Sequence, residues 1–127
     1  MNGFLLVAAG GAVGAALRHG AGLSALRLGL TAWPYATFLV NVVGSLLMGL
    51  LIGWLAHRGG GDGHGARLFL ATGVLGGFTT FSAFSLEIAL MIERGEIVRA
   101  GGYASASLAL GVAALFVGLL VARRAFT

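Results

Sequence analysis

The chain has 127 residues, 58% of them hydrophobic and only 9% charged, with a mean hydropathy of +0.98; a soluble domain carries about 25% charged residues, so that class is excluded. The formal charge of +4 does not point to nucleic acid, because all eight basic residues are arginines that mostly flank apolar stretches. No cysteine is present, so a disulfide framework and a thiolate metal site are both impossible.

Four apolar stretches are long enough to cross a bilayer: about Phe4–Leu26, Trp33–Ala56, Leu68–Ile92 and Tyr103–Ala122. A crossing takes roughly 20 residues. Together they use nearly the whole chain, which predicts a single four-helix transmembrane domain over residues 1–127.

Only Met1, Asn2 and Gly3 precede the first stretch, and none is basic. It also runs past the length of a signal-peptide core, so it reads as a span rather than a leader. Arg18 and His19 interrupt it toward its end. Arg18 is expected to pair with Glu87, snorkel to an interface, or line a vestibule.

The second stretch carries helix-start signals. Thr31 is a candidate cap and Pro34 suits a first turn. Trp33 and Trp54 are 21 residues apart, about 31 Å of helix, which matches the spacing of two membrane interfaces. Asn41 lies between them. Its carboxamide offers two donors and one acceptor, for an anion or for another helix.

The link Arg58–Arg67 is glycine-rich and polar, a flexible connection. It lacks the Lys-Ser/Thr of a phosphate loop. The third stretch contains Gly76-Gly77-Phe78-Thr79-Thr80-Phe81-Ser82-Ala83-Phe84-Ser85. Paired glycines and paired threonines are poor helix, so a break is expected here. In hydrocarbon each freed backbone group costs several kcal/mol unless it is satisfied, which suggests an ion or substrate site. Phe81 and Phe84 would share a face beside it, and phenyl edges carry positive potential that suits an anion. Glu87 stands eight residues beyond Thr79, roughly 12 Å further along.

The turn Glu93–Arg99 is short, which makes the third and fourth spans antiparallel neighbours. In the fourth, Tyr103 and Ser107 share a helical face. His19, His57 and His64 are not spaced as metal ligands on one helix. No nucleophile–base set, carboxylate pair or redox motif occurs, so an enzyme is not expected.

Charge placement is balanced. Arg58, Arg67, Arg123 and Arg124 fall on one side; Arg27, Arg94 and Arg99 fall on the other, with Arg18 if it snorkels that way. The positive-inside rule therefore gives almost no orientation. A weakly determined single topology and insertion both ways both fit. Four helices enclose little polar space, which favours an oligomer. Close helix contact is available at Gly10/Gly14, Gly49/Gly53 and Gly73/Gly77, within one subunit or between two.

Three segments in order, Gly10–Arg18, Thr37–Ser45 and Gly73–Glu87, resemble the Fluc (CrcB) family of small fluoride channels, over essentially the whole chain. The resemblance implies an all-α membrane fold: four transmembrane helices, the third broken at mid-membrane, in an antiparallel dual-topology homodimer with two pores. It implies passive, fluoride-selective export through the cytoplasmic (inner) membrane, which limits fluoride toxicity. It implies a structural sodium ion at the dimer centre, held by the backbone carbonyls of Gly76 and Thr79 from both subunits. It maps the pore onto Phe81, Phe84 and Asn41, and a polar track onto Ser82, Ser85, Tyr103 and Ser107. Glu87 and Arg18 map to the vestibule. Two positions depart from the family: His19 replaces a tyrosine, and Ala83 stands where a hydroxyl is common.

The physical reading is compatible with this. A break at the midplane of an antiparallel pair meets its own copy, and carbonyl oxygens suit a hard cation. The alternative is a proton-coupled small multidrug exporter. That needs an embedded carboxylate, and the first span has none. A third reading is a subunit that packs a partner without transporting.

Overall fold

In the computed structural model, which describes residues 2–58 and 63–126, the first helix begins at a cap. The Asn2 side-chain oxygen accepts the Phe4 N–H at 2.8 Å, satisfying one of the orphan donors of a helix start. Helix α1 then runs Gly3–Arg27. It ends where the Leu30 N–H bonds the Ala25 carbonyl at 2.8 Å and the Gly29 N–H bonds that of Leu26 at 3.1 Å. Gly29 has φ +73°, which glycine adopts without strain.

Helix α2 spans Tyr35–Arg58. The Pro34 carbonyl accepts the Phe38 N–H at 3.1 Å, so Pro34 stands at the cap position. Thr31 lies outside the helix and does not cap it. The proline, with its preset φ, fixes the start three residues later than a Thr31 cap would.

The third span, Gly63–Glu93, is composite. The predicted polar link falls partly on residues 59–62, outside the described residues; its second half is already helical. Helix α3 (Gly63–Ala66) leads into a π-helix over Arg67–Leu75, then α4 (Gly76–Phe78). A nine-residue π-helix is unusual, since π turns occur mostly singly and often at functional sites. The chain then breaks. Thr79 is extended, with φ −83° and ψ 159°, and α5 starts only at Ser82, running to Glu93. The glycines do not make the break: Gly76 has φ −62° and ψ −38°. The β-branched Thr79 does. A Cβ on Gly77 would come 2.6 Å from the Gly11 carbonyl oxygen, so that glycine serves close helix packing.

A second turn of the Gly29 type closes α5. The Glu96 N–H bonds the Met91 carbonyl at 2.8 Å and the Gly95 N–H that of Ile92 at 3.0 Å, with Gly95 at φ +79°. Half-buried Glu96 pairs with Arg94 and Arg99, both at 3.0 Å. Helix α6 then runs Ile97–Ala125, starting ahead of the predicted Tyr103.

These four helical spans are long and apolar enough to cross a membrane, and the protein is a multi-pass membrane protein. Two helix pairs dominate the packing: α1 with the π-helix and α4, and α2 with α6. All three predicted glycine pairs serve contacts within the chain. Gly10 and Gly14 meet the backbone of Phe69 and Val74, and Gly73 meets Gly10. Gly49 and Gly53 meet Leu115 and Ala122 of α6. The core is aromatic: Tyr103, only 1% exposed, packs with Met91 and Ala100 against Trp33, Phe38, Phe84 and Ile88.

Candidate functional site

The break frees backbone groups, and side chains from other helices take some of them. Asn41 on α2 makes a reciprocal pair. Its Oδ1 accepts the Thr80 N–H at 2.8 Å, and its Nδ2 donates to the Thr80 carbonyl at 3.1 Å. Arg18 on α1 donates from Nε to the Gly77 carbonyl at 3.1 Å. Within the break, the Thr80 hydroxyl accepts the Ala83 N–H at 3.1 Å, so Thr80, one residue ahead of the Phe81 cap position, satisfies an orphan donor of the first turn of α5. The Thr79 hydroxyl donates back to the Leu75 carbonyl at 2.9 Å.

A cleft of about 410 Å³ opens beside this scaffold. It brings together Asn41, Thr79, Thr80, Phe81, Phe84 and Ser107. The Phe81 and Phe84 centroids are 5.8 Å apart. Phe81 precedes α5 rather than sharing its face, and is 77% exposed. Phe84 packs edge-on against Tyr103 at 5.1 Å, and Tyr103 packs against Trp33 at the same distance. An aromatic row thus runs from the break to the start of α2.

The other predicted residues divide. Tyr103 lies behind Phe84 and does not line the cleft, while Ser82 and Ser85 are exposed on α5. Glu87 is outside the cleft, with Thr37 and Tyr103 as neighbours. Glu87 Oε1, Tyr103 Oη and Ser107 Oγ are buried polar atoms without a hydrogen-bond partner among the described residues. Arg18 does not pair with Glu87. It lies with His19 at a second cleft of about 430 Å³, its Nε committed to Gly77. No group of metal-ligating side chains occurs among the described residues.

Gly76 and Thr79, the predicted carbonyl ligands, have a distinctive setting. In a continuous helix their carbonyls would accept the N–H groups of Thr80 and Ala83. Those N–H groups bond Asn41 and the Thr80 hydroxyl instead. Sequence reasoning missed Thr80. A threonine three residues ahead of Ala83, where a helix restarts, is a capping pattern that was readable.

A family model described as CrcB-like protein, Camphor Resistance (CrcB), matches residues 5–119. The chain is 64% identical over 126 residues to a fluoride-specific ion channel FluC of Hyphomonas neptunium, covering 99% of each chain. It is 58% identical over 127 residues to a protein of the same name from Caulobacter sp. strain K31, covering 100% of this chain and 99% of that one. A third, from Phenylobacterium zucineum, is 58% identical over 126 residues, covering 99% of each.

Proposed function

Because the chain belongs to the CrcB family, we propose that it is a fluoride channel that lets fluoride leave the cell passively through the cytoplasmic membrane and so limits its toxicity. The observation that carries this reading is the broken third span with its cleft. Phe81, Phe84, Asn41 and Ser107 face one cavity, and among the described residues no fixed cation lines it. Fluoride is small and strongly hydrated. It needs donors that replace water without holding the ion. One Asn41 N–H is spent on Thr80, and the amide keeps its second donor. Ser107 Oγ lacks a partner among the described residues and adds a hydroxyl. Phenyl edges supply the rest. Ser82, Ser85 and Tyr103 extend this polar route toward the Glu87 and Arg18 vestibules.

The working unit is an antiparallel, dual-topology homodimer with the break at mid-membrane. The balanced arginines support it. The carbonyls of Gly76 and Thr79, deprived of their helical donors, fit a hard cation and would hold sodium, two from each subunit. Bound there, sodium would supply a fixed positive charge that ties the two breaks together.

Purified protein in liposomes is expected to release fluoride and retain chloride. Chloride efflux at a comparable rate would reject the assignment. The proton-coupled exporter would require Glu87 to exchange protons with a cationic drug; proton-driven uptake of an aromatic cation, abolished by Glu87→Gln, would favour it.

A further inference from the structure

We propose that Asn41 and the Thr80 hydroxyl are positioning residues that create the cation site, by drawing away the two N–H groups that would otherwise close on the carbonyls of Gly76 and Thr79. This rests on the sodium reading above and adds to it two side chains that do not themselves ligate the ion.

An α-helical carbonyl accepts the N–H four residues on. For Gly76 that donor is Thr80, and for Thr79 it is Ala83. Asn41 Oδ1 holds the Thr80 N–H at 2.8 Å. Thr80 Oγ1 holds the Ala83 N–H at 3.1 Å. Each diversion exposes one carbonyl.

Three of the neighbouring carbonyls are occupied by other donors. That of Leu75 takes both the Thr79 N–H at 3.0 Å and the Thr79 hydroxyl at 2.9 Å. That of Gly77 takes Arg18 at 3.1 Å. That of Thr80 takes Asn41 Nδ2 at 3.1 Å. The hydrogen bonds of the break therefore occupy three of its oxygens and leave those of Gly76 and Thr79 without their helical donors. Asn41 acts on both functions: it lines the anion cleft and shapes the cation site from the same amide.

The test is the sodium dependence of thermal unfolding of the purified protein, at constant ionic strength with a bulky organic cation as replacement. Ligand binding to the folded state raises the midpoint by mass action, so the curve reports half-saturation without reference to flux. Wild type is expected to show a saturable, sodium-specific rise. Asn41→Leu removes the acceptor and Thr80→Val removes the hydroxyl. Each is expected to raise half-saturating sodium by about tenfold, the net worth of one hydrogen bond. Thr80→Ser keeps the hydroxyl and is expected to stay within about threefold of wild type.

A wild-type protein with no sodium-specific rise removes the sodium reading and this proposal together. A normal wild-type response with an unchanged Thr80→Val overturns the proposal alone. Thr80→Val is nearly isosteric, so it decides the matter even where Asn41→Leu fails to fold.

Discussion

Gly14→Ala tests how the break is held. A Cβ at Gly14 would press on the Val74 carbonyl oxygen and lie 2.8 Å from the Phe78 nitrogen and 2.9 Å from the Val74 carbonyl carbon. All three are backbone atoms, which no rotamer change can move. Carbon contacts are comfortable at about 3.5–4.0 Å, so α1 must retreat from the third span by roughly 1 Å. Overpacking of this kind costs about 1–3 kcal/mol. The same retreat stretches the 3.1 Å bond from Arg18 to the Gly77 carbonyl beyond hydrogen-bond range. A lost bond from a charged donor adds about 1.5–3 kcal/mol. The expected total, about 2.5–6 kcal/mol, should appear as a lower midpoint in denaturant titration of the protein in detergent, with fluoride efflux falling in parallel. Gly20→Ala is the control. A Cβ there would meet nothing within 4 Å beyond its own stretch of helix, among the described residues, and Ala gains up to about 1 kcal/mol of helix propensity. Equal stability and equal flux in the two variants would refute the argument.

Arg18→Lys keeps the charge and loses the planar Nε donor. If the Gly77 clamp is what matters, it should be nearly as unstable as Arg18→Met; full stability and flux in Arg18→Lys would assign Arg18 to anion attraction instead. Phe81→Ile and Asn41→Asp should each reduce fluoride efflux strongly while the protein still assembles, and unchanged flux in both would take them out of the pore. The chain has no cysteine, so Val98→Cys gives a single label site in a residue 90% exposed. An impermeant maleimide applied to intact cells should label about half of it if topology is dual; labelling of all or none would reject dual insertion.

The spans were legible because hydropathy over some 20 residues is a collective signal. Residues Phe4–Leu26 foretell α1 within a residue at each end. The break was legible from its two pairs of poor helix formers, of which the threonines lie in it and the glycines do not. Gly76 and Gly77 read as helix breakers, yet both are helical. Packing against Gly11 and Ala15 uses the missing side chain of Gly77 as space. The π-helix over Arg67–Leu75 left no mark, because its apolar pattern is that of any buried helix. Asn41 was legible as polar but its partner was not. Nothing in its neighbours says that a backbone loosened 39 residues later will need both a donor and an acceptor.

Exposure means something different here than in water. Among the described residues, twenty-six large apolar side chains are exposed, and acyl chains accommodate them as readily as protein does, so Phe4 or Phe116 on the surface demands no partner. Polar groups do. Ser24 and Thr79 satisfy their hydroxyls by donating to the carbonyl one turn back, at 2.9 Å each. Ser82 and Ser85 are exposed on α5 just beyond the break, and Ser82 reaches only the Thr80 hydroxyl at 3.4 Å. Gly76, with its helical donor diverted, is exposed as well. Hydrocarbon cannot answer these groups. The surface that asks for a second copy is therefore the small polar one around Gly76, Ser82 and Ser85, and Phe81 is exposed along with it. That places the proposed dimer contact at the break itself, which is where a shared cation and two anion routes would have to be built.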